Sequence, residues 1–239
     1  MMAEPLDPAS YMGGLEMDAR EIRAPMPHGG HMVWKQWGSG PPVFLMHGSF
    51  GAWTHWTRNI QALVAAGYRV IAGDTPGLGD SDSPPDDWDI VSIGALAADA
   101  IAFALAPDER FRIAGFSFGG IIAGQALLRL QDRCDGFIGS NALGVRLSDE
   151  RPTLAKMRRG MTAAQRAEVH RQNLAIVMFG DAKRIDPLAL YIQDRNTAKA
   201  RIRSGAIPRG DSLRRALQTM RVPVTGIFGE KDATAGRFL

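Results

Sequence analysis

Cysteine is nearly absent from this sequence: Cys134 is the only one, so no disulfide can form within the chain. It precedes the apolar run GFIGS, which favours a thiol buried in a strand over a nucleophile. No apolar run approaches the ~20 residues that a membrane-spanning helix needs. The first residues, MMAEPLDPAS, lack the basic and apolar pattern of a signal peptide. These absences predict a soluble, cytoplasmic protein without membrane partners.

The patterns typical of metal and nucleic-acid binding are missing as well. No pair of His, Asp or Glu stands at ligand spacing in a predicted helix or loop, so we expect no metal site, and we expect no cofactor. Residues 146–215 hold 16 of the 28 Lys and Arg but only 7 of the 25 Asp and Glu. Because no aromatic residues are interleaved there, we interpret this stretch as solvated, arginine-rich helices and expect no nucleic-acid partner. Whether it binds an anionic substrate stays open.

Strands and helices alternate along most of the 239 residues, and 45% of the residues are hydrophobic, as in one globular α/β domain. Residues 1–27 lack periodicity and are predicted to form a loose arm. His31–Trp37 alternates like an edge strand. Residues 144–210 have a helical pattern without strands. Further strands are predicted at Val43–Met46, Tyr68–Gly73, Phe111–Phe116, Gly136–Ala142 and Val222–Phe228, and helices at Trp53–Ala66, Ile90–Ala106, Ile121–Leu130 and Asp211–Met220.

The segment FRIAGFSFGGI, residues 111–121, places Ser117 between a predicted strand and a predicted helix, in a G-x-S-x-G arrangement. A serine hydroxyl is a weak nucleophile, and a tight strand-to-helix turn presents it clear of its own backbone. Such a turn forces strained dihedral angles on the serine and leaves no room for side chains at Gly115 and Gly119. The N–H groups that open the following helix face developing negative charge. The pattern predicts a nucleophilic serine.

Two further strands also end in glycine-rich loops. PVFLMHGSFG, residues 42–51, leads into His47 and Gly48, and YRVIAGDTPGLGDSDSP, residues 68–84, leads into Asp74 and a Gly/Pro turn. Three buried-looking strands that each break into such a loop predict a parallel sheet with a ligand crevice along the carboxyl ends of its strands.

Together these motifs resemble the α/β-hydrolase family. The resemblance covers residues 30–239 and implies a mostly parallel sheet flanked by helices, with residues 144–210 inserted as a helical cap over a core of residues 1–143 and 211–239. The fold is a weak guide to the substrate, because it hosts many reactions. The matching pieces, in the family's order, are His47-Gly48, Asp74 to Ser81, the elbow at Ser117, and Gly229 to Asp232.

The resemblance implies a role for each of these residues. Ser117 would attack a carbonyl and form a covalent intermediate, and Asp232 would be the acid that orients the catalytic histidine. The oxyanion would be held by the backbone N–H groups of Phe118 and Ser49, with Phe50 as the alternative to Ser49. Phe50 and Trp53 are candidates to contact substrate, although the three-residue spacing of Trp53 and Trp56 also favours packing between helices.

Several neighbouring residues are assigned structural roles instead. His47 resembles the histidine that shapes the oxyanion loop, and the Asp74–Ser81 turn is expected to be held by loop hydrogen bonds. His170, between Glu168 and Arg171, is expected on the surface. Asn141 stands where some family members carry the acid, but it cannot carry the charge, which supports Asp232.

No histidine follows Asp232, although the family's triad runs in the order Ser, acid, His. The simplest interpretation is a fragment of a longer hydrolase, which would leave the apolar strand Val222–Phe228 as an exposed, aggregation-prone edge. A second is a member of the family that binds a ligand without hydrolysing it. A third relocates the base to His55 or His170.

The leading hypothesis is therefore a serine hydrolase that acts on a small ester, lactone or related carbonyl substrate. The alternatives are a non-catalytic binding protein of the same fold, and a cofactor-free peroxidase or carbon–carbon bond hydrolase with the same triad. The expected partner is a small-molecule substrate, and the oligomeric state stays open.

Overall fold

A single sheet of seven strands organises the computed structural model, which describes residues 7–142, 153–202 and 211–232. The strands are β1 (Arg20–Pro25), β2 (His31–Trp37), β3 (Pro42–Met46), β4 (Arg69–Gly73), β5 (Phe111–Phe116), β6 (Cys134–Ser140) and β7 (Val224–Ile227). They lie in the order β1-β2-β4-β3-β5-β6-β7. β1 pairs antiparallel with β2 and β2 with β4, while the pairs from β4 to β7 are parallel. The predicted, mostly parallel sheet is confirmed.

The helices are α1 (Pro8–Met17), α2 (Thr57–Ala65), α3 (Ile90–Ala104), α4 (Phe118–Leu130), α5 (Ala163–Val177), α6 (Pro187–Lys199) and α7 (Ser212–Thr219). Side-chain caps fix four of their starts: Asp89 and Thr162 form capping boxes at α3 and α5, while Asp7 caps α1 and Asp186 caps α6. Asp211 precedes α7 without capping it, because its side chain pairs with the arginines of the first turn, Arg214 and Arg215, and bonds no helix N–H.

The side chains of β3 alternate between two apolar layers, as the period of a strand requires. Phe44 and Met46 face a cluster that includes residues of α3, α4 and α7. Val43 and Leu45 face a second cluster built with α1, α2 and Ile192 of α6. All five residues of β3 are buried. The strand that leads into the His47–Gly51 loop is therefore held by packing on both sides.

The prediction of a loose arm is wrong for the described part of 1–27, residues 7–27, which forms α1 and β1. Met12 and Leu15 of α1 are buried in the second cluster, and the Trp37 indole donates a 2.8 Å hydrogen bond to the Leu15 carbonyl. β1 pairs along the whole of β2, so β2 is an interior strand and not the predicted edge. Tertiary contacts order a segment whose own periodicity is too weak to indicate structure.

Helix α6 is tied to the core by a buried hydrogen bond and several ion pairs. The Thr54 hydroxyl donates to the Asn196 carbonyl oxygen at 2.8 Å, and both residues are 2% exposed. Arg195 pairs with Glu16 of α1, and Lys199 pairs with Asp80. Just beyond the helix, Arg201 donates to backbone carbonyls of the Asp74–Ser81 turn. The basic residues between 195 and 201 therefore bind α6 and the residues after it to the core.

The 144–210 cap stays a prediction as a domain, since its boundaries lie outside the described residues. Within it, α5 packs on α6. The expectation that His170 lies on the surface is wrong: it is 2% exposed and its Nε2 lies 3.2 Å from Asp194 of α6. Its charged neighbours Glu168 and Arg171 are exposed, and their polarity led to the wrong prediction for His170.

At the other end of the sheet, the prediction of an apolar edge strand is confirmed for the described residues. β7 pairs with β6 alone among them, and Val224 and Ile227 are 46% and 52% exposed. None of the helices in the described ranges is long and apolar enough to cross a bilayer.

Candidate active site

Ser117 lies at a sharp turn between β5 and α4. Its φ of 53° and ψ of −119° lie in a region that residues other than glycine rarely adopt. The turn is held in place by a 2.8 Å hydrogen bond from the Ser117 N–H to the Ser140 carbonyl of β6. The Ser117 side chain does not cap α4, although a serine at this position normally would. The hydroxyl is therefore held at the carboxyl edge of the sheet and is not used by the helix.

The glycines beside Ser117 are required by close backbone contacts. A Cβ at Gly119 would lie 2.4 Å from the Met46 carbonyl oxygen and 2.5 Å from that of His47. A Cβ at Gly115 would lie 2.5 Å from the Gly120 Cα. The crowding expected from the motif is present, and it presses the start of α4 against the end of β3.

The loop after β3 passes directly beside the elbow. A Cβ at Gly48 would lie 3.3 Å from the Ser117 Cβ, so this backbone borders the serine side chain. The backbone N–H groups of Ser49 and Phe118 donate to no other group in the ranges that the structure describes. Phe50 has a φ of 52° and is 38% exposed. Neither N–H group therefore has an acceptor in these ranges, and their role as oxyanion donors stays a prediction.

His47 holds this loop against the turn after β4. Its Nε2 accepts a 2.9 Å hydrogen bond from the Thr75 N–H, so the ring proton must be on Nδ1, which donates to the Gly48 carbonyl at 2.7 Å. Burial lowers the pKa of His47 to about 4, and the ring is neutral at pH 7. Both nitrogens are thus engaged by backbone, in keeping with the loop-shaping role expected of His47.

The Asp74–Ser81 turn is held as expected. The Asp74 carboxylate accepts from the N–H groups of Trp53 and Asp80 at 2.7 and 2.8 Å. The Ser81 hydroxyl donates to the Asp74 carbonyl and accepts from the Val33 N–H. Burial raises the pKa of Asp74 to about 6, while the two backbone N–H groups oppose this rise. Asp74 therefore connects the segment that follows the His47–Gly51 loop, at Trp53, to the turn after β4.

The structure places Trp53 in the core and not at the surface of the site. It is 1% exposed, and its ring centroid lies 5.2 Å from that of Trp37. This position fits the packing alternative that the spacing of Trp53 and Trp56 had favoured. Its contribution to the site runs through its backbone N–H, which donates to Asp74.

His55 lies behind the elbow. Its ring packs edge-on against Phe116 at 5.9 Å and against His47 at 6.1 Å. Both ring nitrogens are buried, with no hydrogen-bond partner in the described part of the chain. Burial, and to a lesser degree the neighbouring His47, lowers the pKa of His55 to about 3. No histidine of the described ranges hydrogen-bonds the Ser117 hydroxyl.

Asp232 follows β7 and lies beside Asn141, which follows β6. The Asn141 side-chain amide donates a short hydrogen bond to the Asp232 Oδ2. The Asp232 N–H donates to the Gly229 carbonyl at 3.0 Å, which closes the turn that carries the carboxylate. Asp232 and Ser117 thus stand on the same edge of the sheet, after β7 and β5, with the end of β6 between them.

A cavity of about 450 Å³ opens between this edge and the end of α5. The sequence predicted none of its apolar lining, which includes Phe116 and the run Ile176–Phe179. The AIVMFG end of the α5 segment was the available signal, since three of its apolar residues remain 37–41% exposed in the folded chain. Its polar side combines the two cations Arg184 and Lys231 with Asn141 and three carboxylates, those of Asp181, Glu230 and Asp232.

We expect the folded protein to be less stable at pH 5 than at pH 7. The pKa values of His47 and His55 are lowered from 6.5 to about 4 and about 3, so unfolding takes up two protons in this window and their stabilisation is lost as the pH falls. Asp74 has the opposite effect: its pKa rises from 3.8 to about 6 in the folded protein, so the folded state takes up about one proton as the pH falls and is stabilised. The net loss is roughly 2 kcal/mol.

Urea unfolding at the two pH values measures this difference. Carboxylates whose pKa is lowered below its ordinary value stay ionised in both states over this range, so they contribute little. The His55→Leu variant is the control, and its pH dependence between 5 and 7 should be nearly flat. Equal stability of the parent protein at the two pH values would contradict the expectation.

Comparison with known proteins identifies related chains. A family model for the alpha/beta hydrolase fold matches residues 41–188. The 2-hydroxy-6-oxo-6-phenylhexa-2,4-dienoate hydrolase of Burkholderia cepacia is 32% identical over 157 residues, which cover 63% of this chain and 54% of that protein. The enzyme of the same name from Comamonas testosteroni is 35% identical over 112 residues, which cover 45% of this chain and 39% of that protein. The chain spans about half the length, or less, of these curated relatives.

Solved structures resemble the chain over most of its length. An esterase from Exiguobacterium antarcticum superposes with a TM-score of 0.70 at 22% identity, covering 90% of this chain and 82% of that one. A thioesterase domain from the curacin biosynthetic pathway has a TM-score of 0.67 at 20% identity, covering 89% of this chain and 83% of that one. At these identities the likeness shows the fold alone.

Proposed function

The chain belongs to the α/β-hydrolase fold family, and from this premise we propose that it is a serine hydrolase acting on a small ester, lactone or related carbonyl substrate. The observation that carries the proposal is the strained turn at Ser117, beside a loop with unused N–H donors. Backbone strain of this kind costs about 1–3 kcal/mol and persists only where the surrounding structure imposes it. It presents the hydroxyl to a carbonyl carbon at the carboxyl edge of the sheet.

In the proposed reaction the Ser117 oxygen attacks the carbonyl carbon, and the carbonyl oxygen becomes an oxyanion. The N–H groups of Phe118 and Ser49 stabilise this charge, with Phe50 as the alternative to Ser49. Phe118 contributes from the first turn of α4, where the helix dipole also favours negative charge. One such donor accounts for about 3 kcal/mol of transition-state stabilisation in other enzymes. Collapse of the intermediate expels the alcohol and leaves Ser117 acylated until water releases it.

The Ser117 proton requires a general base, which in this proposal is a histidine oriented by Asp232. His47 does not fit, because backbone groups engage both its nitrogens. His170 does not fit, because it is buried between α5 and α6 against Asp194. His55 has a pKa far below neutral, which makes it a poor proton acceptor at pH 7. We assign the base to none of the three.

The cavity supports a substrate with an apolar or aromatic portion. Phe116 and Ile176–Phe179 provide an apolar wall, and about 450 Å³ accommodates a small molecule. The charged lining is mixed, with Arg184 and Lys231 among the carboxylates of Asp181, Glu230 and Asp232, so it favours neither charge in a substrate. The apolar wall makes carbon–carbon bond hydrolysis the second candidate, since the two bacterial relatives are named for a phenyl-bearing dienoate. Turnover of such a dienoate, compared with p-nitrophenyl acetate, separates the two.

Labelling with a fluorophosphonate probe tests the proposal. The full-length protein should form a covalent adduct at Ser117, located by peptide mass, and Ser117→Ala should form none. Ser83→Ala, which removes an exposed serine far along the loop after β4, should label like the parent. Equal labelling of Ser117→Ala and the parent would refute the nucleophile. No labelling of the parent, with ligand binding retained, would favour the non-catalytic alternative.

A further inference from the structure

Asn141 makes the side-chain contact that reaches Asp232 from the neighbouring strand. β6 ends at Ser140, and the next residue turns with a φ of 43°, in the left-handed region that asparagine tolerates better than most residues. Its backbone N–H is fixed by a 2.8 Å hydrogen bond to the Ile227 carbonyl of β7. The turn therefore directs the amide along the sheet edge towards the end of β7, where Asp232 stands.

The chemistry of the pair determines which way the amide faces. An ionised carboxylate has acceptors only, so the Asn141 NH₂ must face the Asp232 Oδ2. The contact constrains the carboxylate through a neutral donor. Both side chains line the cavity that borders Phe116, the residue before Ser117. The hydrogen bond is thus part of the site wall and not of a distant loop.

From this contact we infer that Asn141 is a positioning residue, which orients the Asp232 carboxylate for the reaction at Ser117. The inference rests on the proposed role of Asp232 as the acid of the site. Asn141 acts through that carboxylate: a donor on one oxygen limits rotation of the carboxyl group and keeps it directed into the cavity. A positively charged partner in its place would neutralise part of the negative charge with which Asp232 would stabilise the imidazolium of the catalytic histidine.

Two substitutions separate this role from support of the fold. Asn141→Gly removes the donor and suits the left-handed backbone, because glycine adopts a positive φ without steric cost. Asn141→Asp keeps the size of the side chain but sets a second carboxylate against Asp232. The matched control is Asp108→Gly, the same kind of change at an exposed residue with a φ of 60° on the far side of the elbow strand.

The test measures kcat and KM of the full-length protein for p-nitrophenyl acetate. Asn141→Gly should lower kcat by about ten- to a hundredfold, the factor that corresponds to one hydrogen bond to a charged group, with KM nearly unchanged. Asn141→Asp should lose at least as much at pH 7, and part of this loss should be regained at lower pH. Asp108→Gly should match the parent. If Asn141→Gly does not fold, Asn141→Asp alone decides by the same kinetic criteria.

Measuring the Asn141→Gly effect in the Asp232→Asn variant decides whether Asn141 acts through the carboxylate. By itself Asp232→Asn should lower kcat by about 10⁴-fold, and adding Asn141→Gly should then change the residual rate of fluorophosphonate labelling less than twofold. If Asp232→Asn is damaging but Asn141→Gly is not, or if the Asn141 effect persists in full without the carboxylate, the inference is wrong and the proposed function stands. If Asp232→Asn is harmless, the proposed acid is wrong, and the inference is overturned with it.

Discussion

The Ser117→Gly variant is expected to unfold at a higher temperature than the parent protein while losing nearly all hydrolytic activity. Ser117 has a φ of 53° and a ψ of −119°, which strain any residue with a Cβ and suit glycine. Relief of this strain is worth roughly 1–3 kcal/mol, and each kcal/mol raises the melting temperature of a chain of this size by about 2–4 °C. Loss of the nucleophile should lower kcat on the order of 10⁴- to 10⁶-fold.

Circular dichroism melts and p-nitrophenyl acetate turnover of the full-length protein measure the two effects. Ser83→Gly is the control, because Ser83 is exposed and has no positive φ. There the same chemical change should lower stability by about 0.5–1 kcal/mol, through the added freedom of the unfolded chain. A destabilised Ser117→Gly would mean that the elbow stores no strain, and an active one would mean that Ser117 is not the nucleophile.

The Gly119→Val variant should fail to fold, or should lose more than about 4 kcal/mol of stability. A Cβ at this position would lie 2.4 and 2.5 Å from the carbonyl oxygens of Met46 and His47. These are backbone atoms of a strand buried on both faces, so they cannot move aside as a flexible side chain would. The substitution must therefore separate α4 from β3, which leads into the His47–Gly51 loop.

Thermal melts followed by circular dichroism decide this, with Gly136→Ala as the matched control. Gly136 lies in β6, and a Cβ there would find its nearest neighbour at 3.9 Å, an ordinary contact distance. It should melt within a few degrees of the parent. An unchanged melting temperature for Gly119→Val, with normal activity, would refute the close packing of α4 on β3.

Local patterns were sufficient to predict the elbow. The residues around Ser117 are contiguous, and the strand before and helix after it are each signalled by their own hydrophobic period. The same holds for the His47 loop and the Asp74 turn. The contact between Asn141 and Asp232 joins residues 91 positions apart, so only the order of strands in the sheet brings them together. The family resemblance led to the hypothesis that Asp232 is the acid, but no pattern in the sequence indicated its contact with Asn141.

Prediction from local sequence patterns failed where tertiary contacts outweigh the local conformational preference of the residues. Helix α1 contains Gly13 and Gly14, which disfavour helix, and its two buried residues, Met12 and Leu15, are too few to indicate a period. β1 buries only Ala24, so its alternation is invisible in a run of polar residues. Both elements are ordered by what they pack against. The cavity wall at Ile176–Phe179 was missed for the same reason, since an apolar helix end resembles core until its neighbours are known.

The attachment of α6 affects any attempt to remove the inserted helices. Ile192 completes the same apolar cluster as Trp53 and Leu45, and the Asn196 side-chain oxygen accepts a hydrogen bond from the buried Thr54 hydroxyl. Excising residues 144–210 as a module would expose that cluster and leave Thr54 without its acceptor, close to the His47–Gly51 loop. Chimeras that exchange substrate preference between relatives should therefore be joined within the segment between α5 and α6, so that α6 stays with the core it completes.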